Sequence, residues 1–206
     1  MLDIFKGWLA GFLIGLAGMV YLSYSGISLG FTALGAFLFS FGLYGVLEYE
    51  SNLVTGKFAK LYNGEWSLRQ ILLIFGMNLV GTATVFLIRA MDANTNIVYE
   101  LAAPIIAARD AKLWYQHIAA GIGCGACIQV AVNNYQKHPS FWGVCLPVMV
   151  FILCGFEHCI ADSFYYYWSP FTWRHLLQIF EVFFGNSLGA QLIVAANSGI
   201  LPQYRL

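Results

Sequence analysis

Apolar residues run through this chain in blocks too long and too continuous for the amphipathic pattern of a soluble fold. Six blocks stand out: Phe5–Tyr24, Leu29–Leu47, Gln70–Ala90, Trp114–Tyr135, Phe141–Trp168 and His175–Ile200. Each is close to or above the ~20 mainly apolar residues needed to cross a hydrocarbon core, and only short connections remain between them. The pattern predicts an all-α integral membrane protein of six transmembrane helices, a single domain over residues 1–206. The first block starts almost at Met1 and is followed by Ser23, Ser25 and Gly26, which mimic a signal-peptide cleavage site. It exceeds the ~7–15-residue apolar region of a signal peptide and reads as a retained helix.

Composition agrees. Hydrophobic residues make up 60% and charged residues 10%, against ~25% charged in soluble domains; that leaves too little polar surface for a water-soluble protein. Ten Lys and Arg balance ten Asp and Glu, so there is no basic footprint for nucleic acid. Lys6, Lys57, Lys60, Arg69, Lys137 and Arg205 fall on the termini and even-numbered loops, and Arg89, Arg109, Lys112 and Arg174 on the odd-numbered ones. This bias favours both termini in the cytoplasm, with the chain in the inner or plasma membrane.

The two halves of the chain resemble each other. Asn78 and Gly81 in the third span recur as Asn186 and Gly189 in the sixth, 108 positions on. Ala10-Gly11 and Gly15 in the first span recur as Ala120-Gly121 and Gly125 in the fourth, 110 positions on. Three spans per half invert the second half relative to the first, giving a 3+3 inverted repeat over about 5–90 and 112–200. The small residues and asparagines at these positions suit helix packing.

Two spans are interrupted at corresponding places. The second ends in Glu48-Tyr49-Glu50-Ser51-Asn52-Leu53-Val54-Thr55-Gly56, and the fifth contains Gly155-Phe156-Glu157-His158-Cys159-Ile160-Ala161-Asp162. Non-helical backbone at membrane depth survives only where protein buries it or water lines it. Ionisable groups there face a pathway or a partner. Two broken helices meeting near the midplane would build a pore or a substrate site.

At Gly155-Phe156-Glu157-His158 the chain resembles the formate/nitrite transporter family, whose fifth span is broken around this motif. Leu146-Pro147-Val148-Met149-Val150-Phe151 before it, the segments around Asn78 and Gly185–Gly189, and Leu53-Val54-Thr55-Gly56 are similar to the family as well. The resemblance implies an aquaporin-like fold and a homopentamer in which each protomer has its own pore for small monovalent weak-acid anions. It places the constriction on Phe39, Leu43, Leu53, Val54 and Phe151, the central histidine on His158 and the vestibule cation on Arg109, with Lys112 nearby. The chain departs from the family pattern at Gly125 and Asp162, where the family has asparagines, and at Asn52, where it has an acid.

The expected function is a channel or proton-linked facilitator for formate, nitrite, hydrosulfide or short carboxylates, and not an enzyme. Its partners would be lipid, the anion and protons, with no cofactor or metal. The anion would enter past Arg109, cross as a neutral acid at His158, and re-ionise on leaving; burial favours the neutral form of a weak acid, and histidine is suited to handling its proton. Glu157, Thr55 and Asn52 would share that pore site. Glu48, Glu50 and Asp162 would repel anions if ionised in the pore, which motivates a second reading, a pore for a neutral or cationic solute such as ammonium or urea. Solvated positions for Glu48 and Glu50 are the alternative. His138 and His175 read as solvated loop residues, and Cys124-Gly-Ala-Cys127 as part of a span.

Overall fold

The computed structural model describes residues 2–25 and 28–200; Met1, Gly26 and Arg205, which entered the sequence argument, lie outside them. The described residues are helical throughout, with no strand among them: α1 (Leu2–Tyr24), α2 (Leu29–Glu48), a 3-10 turn (Val54–Gly56), α3 (Phe58–Tyr62), α4 (Leu68–Ala90), α5 (Asn96–Asp110), α6 (Trp114–Lys137), α7 (Phe141–Leu153), α8 (Cys159–Tyr166) and α9 (Trp173–Ile200). Among the described residues four helices are long and apolar enough to cross a bilayer: Leu2–Tyr24, Gly30–Glu48, Leu68–Ala90 and Trp173–Asn197. The expected fourth span is the long helix α6, whose Gly, Gln and Asn residues lower its hydropathy. The expected fifth span is two short helices, α7 and α8.

Local signals start several of these helices. Ser67 begins α4 with a capping box: its hydroxyl accepts from Gln70 N–H, and the Gln70 side chain accepts from Ser67 N–H at 2.8 Å. Ser28 caps α2 through Phe31 N–H. Helix α5 occupies a stretch where the apolar blocks predict only a connection. Pro104 lies inside it, and a proline in mid-helix removes a hydrogen bond and reads as a breaker. What holds α5 is the stripe Val98, Ala102 and Ile106, buried at four-residue spacing against α1 and α8.

Two intimate pairs form the frame, α1 against α4 and α6 against α9. In hydrocarbon, helices gain nothing from leaving water, so close backbone approach and hydrogen bonds must hold them. Glycines allow that approach. A Cβ on Gly11 would overlap the backbone of Asn78, and one on Gly125 would overlap Asn186 in the same way. Gly81 lies against Trp8 and Phe12, and Gly189 against Ile122 and Ala126. These contacts relate α1 to α6 by 114 positions, one helical turn away from the spacing of 110 read from the sequence. Glycines recur every fourth residue along α1, and such a stripe fits its partner in more than one register.

Candidate functional site

Both helix interruptions share one backbone design. Helix α2 ends at Glu48, Glu50 turns left-handed (φ 48°), and Ser51 N–H donates back to Val46 O at 2.8 Å. Helix α7 ends at Leu153, Gly155 turns left-handed (φ 71°), and Phe156 N–H donates back to Phe151 O at 3.0 Å. Each is the terminal motif that satisfies the last carbonyls of a helix. The chain then runs extended and is tied to the neighbouring long helix: Asn52 N–H donates to Lys6 O at 3.1 Å, Glu157 N–H to Ala120 O at 3.3 Å.

An asparagine clamps each interruption. Asn78 Oδ1 accepts from Val54 N–H at 2.8 Å, while Nδ2 donates to Gly7 O (2.7 Å) and Asn52 O (2.8 Å). Asn186 Oδ1 accepts from Cys159 N–H at 3.1 Å, while Nδ2 donates to Gly121 O (2.9 Å) and Glu157 O (2.8 Å). Both are fully buried. Non-helical backbone deep in a protein requires partners of this kind.

The interruptions meet at His158. Ala161 N–H donates to His158 Nδ1 at 3.1 Å, so the imidazole is the N-cap of α8. An accepting Nδ1 carries no proton, so the neutral ring holds its hydrogen on Nε2 and donates it to Thr55 Oγ1 at 2.9 Å. Phe151 stacks on the ring with centroids 6.2 Å apart, and Phe39 meets Phe151 edge-on at 6.1 Å. These three side chains lie at a cavity of about 200 Å³, which also touches Tyr21, Arg109, Lys112, Glu157 and Asp162. Leu43, Leu53 and Val54 are buried in the apolar core but do not line that cavity.

The charged groups of the cavity are paired. Arg109, near the end of α5, donates from Nε to Asp162 Oδ1 at 2.8 Å, and its Nη2 stands 2.6 Å from the same oxygen. Its guanidinium lies over the Tyr165 ring, 5.2 Å from the centroid. Lys112 donates to Glu157 Oε1 at 2.6 Å, and His117 Nδ1 donates to Glu157 Oε2 at 2.6 Å. Glu157 therefore serves Lys112 and His117, not its neighbour His158. His117 is fully buried and was missed in the sequence. It lies four and eight residues before Gly121 and Gly125, on the same face of α6, a spacing that would have revealed it.

Other expected residues lie elsewhere. Glu48 is exposed and accepts from Tyr135 OH at 2.6 Å. Glu50 is 86% exposed, 3.6 Å from Lys6. Neither touches the cavity, so Glu48 and Glu50 take the solvated alternative, and of the three possible pore acids Asp162 lies there. Asn52 is buried and bonds to Asp3 at 3.2 Å, away from His158. Gly125 faces α9, so the missing asparagine leaves no gap in the cavity wall. His138 is exposed as expected, but His175 is buried: it stacks on Tyr166 at 4.4 Å and pairs with Asp110 at 3.4 Å. Its place one turn into α9 suggested a loop position, but the Tyr166 ring covers it.

A family model described as "Formate/nitrite transporter" matches residues 3–199. A probable formate transporter of Methanothermobacter thermautotrophicus is 28% identical over 95 residues, 40% of this chain and 34% of that protein. An uncharacterized transporter, YrhG, of Bacillus subtilis (strain 168) is 24% identical over 181 residues, 78% of this chain and 68% of that protein. Among solved structures, a pentameric formate channel with formate bound superposes with a TM-score of 0.81 at 21% identity, covering 97% of this chain and 96% of that one. An FNT family ion channel superposes with a TM-score of 0.73 at 19% identity, covering 98% and 89%.

Proposed function

The chain belongs to the formate/nitrite transporter family, integral membrane proteins that act as channels or transporters and not as enzymes, and from that premise we propose that it conducts small monovalent weak acids through a pore at His158. The reading has six crossings: α1, α2 with α3, α4, α6, α7 with α8, and α9. The second and fifth are broken, the halves 5–90 and 112–200 form an inverted repeat, and both termini face the cytoplasm. The matching clamps of Asn78 and Asn186 support the repeat. The protein assembles in this reading as a homopentamer with one pore per protomer, which the fold shared with a pentameric formate channel supports.

One observation carries the reading: the Nε2–H of His158 bonds to Thr55 across the two interruptions, and Phe39 and Phe151 line the same cavity as that ring. A bare anion loses several kcal/mol of hydration in such an apolar passage, whereas a neutral acid does not. The neutral imidazole has one donor, the Nε2–H now held by Thr55, and a passing acid takes it in place of that hydroxyl. A second proton on Nδ1 would break the cap of α8, so this geometry favours donation over proton carriage by His158. Formate and nitrite are the leading substrates, with hydrosulfide and short carboxylates behind them.

Protein reconstituted in liposomes should take up formate and nitrite above the empty-vesicle rate, and faster as the outside pH falls. His158→Phe keeps the ring stack but loses the donor, and should lower uptake roughly tenfold, the value of one buried hydrogen bond. Undiminished proton-linked uptake in that variant would remove His158 from the mechanism. The second reading, a pore for ammonium or urea, rests on each cavity cation being matched by a carboxylate; uptake of those solutes without formate would establish it instead.

A further inference from the structure

The cavity before His158 has two cations and two carboxylates on its wall, and the pairs are built differently. Lys112 is about one-third exposed and its partner Glu157 is shared with His117, both held near the helix interruption. Arg109 and Asp162 form a closed pair: the Asp162 side chain is 1% exposed and a single oxygen, Oδ1, receives both Nε and Nη2. The second oxygen, Oδ2, is buried with no hydrogen-bond partner among the described residues. A buried acceptor without a partner is costly, and this one belongs to a residue that lines the cavity.

Resting on the transport reading above, we propose that Asp162 is the specificity-determining residue of the cavity. It cancels the charge of Arg109, and its unpartnered Oδ2 leaves negative charge buried behind the same wall, so the cavity admits a weak acid in its undissociated form and holds back the bare anion. The basis is electrostatic. An undissociated acid carries no net charge and is indifferent to the pairing of Arg109 with Asp162. A carboxylate or nitrite anion gains nothing from a guanidinium already matched by a carboxylate and is left to lose its hydration. Selection for the neutral form therefore starts in the cavity, before the apolar constriction.

The other charged and titratable groups around Asp162 leave this balance intact. Glu157 and His117 are bonded to each other and Glu157 to Lys112. Cys124 on α6 and Cys159 on α8 are buried thiols. Tyr21 from α1 lines the same cavity, and Tyr165 covers the Arg109 guanidinium. Arg109 is thus the charge that Asp162 controls.

Asp162→Asn tests the proposal because it keeps shape while inverting polarity. Arg109 needs an acceptor, so the amide oxygen takes the place of Oδ1 and the amide NH2 becomes a donor where Oδ2 stood. Formate uptake into liposomes at neutral pH should rise roughly tenfold, the lower end of what an unmatched charge in a cleft gives. Its pH profile should flatten, and uptake should fall as salt rises from about 10 to about 150 mM. Wild-type protein should show a steep pH profile and little dependence on salt. Should the variant fail to assemble, the salt series on wild type decides alone. Unchanged neutral-pH uptake in Asp162→Asn, or steep salt dependence in wild type, overturns the role of Asp162. Absence of weak-acid uptake by wild type at every pH instead overturns the transport reading.

Discussion

The two helix interruptions have nearly the same backbone and different chemistry. Both end a helix with a left-handed residue, send one N–H back to the helix and one to a neighbouring long helix, and are clamped by an asparagine with three hydrogen bonds. On that common frame, Glu50 answers to Gly155, Asn52 to Glu157, Leu53 to His158 and Lys57 to Asp162, each 105 positions apart. The groups that bond to positions 52 and 157 also correspond: Asp3 and His117 occupy equivalent places at the starts of α1 and α6. The first interruption contributes an alkyl side chain where the second contributes an imidazole. Its Thr55 supplies the hydroxyl facing that imidazole. Pairing of the frames brings the two half-sites together; divergence of the side chains makes the site at His158 one-sided.

The shared frame is tested most strongly by removing the clamps. Asn78→Ala and Asn186→Ala each strand three buried backbone groups, at about 1–3 kcal/mol apiece. Each variant should lose roughly 3–5 kcal/mol, and the two losses should agree closely. Thermal unfolding in detergent, followed by circular dichroism, measures both. A large loss at one site with almost none at the other would show that the two frames do not carry equal weight.

The side chains at positions 52 and 157 should separate the two interruptions. Asn52 makes one side-chain bond of 3.2 Å to Asp3 in a partly buried site. Glu157 makes two of 2.6 Å, to Lys112 and to the fully buried His117. Asn52→Ala is expected to cost about 1 kcal/mol and Glu157→Ala about 2–3 kcal/mol, because the latter leaves the His117 N–H buried without an acceptor. Replacing His117 by Phe in the Glu157→Ala background should recover part of the loss, and the double-mutant cycle measures the coupling. Equal costs at positions 52 and 157 would contradict the asymmetry.

Legibility in the sequence follows the range of the interaction concerned. Helix positions and both interruptions were visible as local patterns, since a polar run such as Glu48-Tyr49-Glu50-Ser51-Asn52 stands out among apolar blocks. Asn78 and Asn186 were visible as a repeated pair, but their role as clamps depends on a third segment meeting α4 or α9. Helix α5 was hidden by Pro104, although Val98, Ala102 and Ile106 already marked its buried stripe. The Arg109–Asp162 pair joins residues 53 positions apart on two elements, one of them not foreseen, so no local pattern announces it. For Glu48 and Glu50 the sequence left a pore position and a solvated one open for a related reason: beside a helix end, exposure is decided by which way the turn opens.

The smallest contrast is in the left-handed turn itself. Gly155 adopts φ 71° with open space where a Cβ would stand, so Gly155→Ala meets only the backbone penalty of that conformation, about 1 kcal/mol. Glu50 adopts φ 48° with a side chain that bears the same penalty. Its pairing with Lys6, at 3.6 Å and largely in solvent, offsets little of it. Glu50→Gly should therefore leave stability unchanged or raise it by up to about 1 kcal/mol, glycine's greater freedom in the unfolded chain taking back part of the gain. Opposite signs for the two substitutions in the same unfolding assay would show that the turns share one conformation and differ only in the residue chosen for it. A clear loss from Glu50→Gly would mean instead that the Glu50 carboxylate holds α1 through Lys6, and the left-handed residue of the first interruption would then contribute a charge where Gly155 in the second has no side chain.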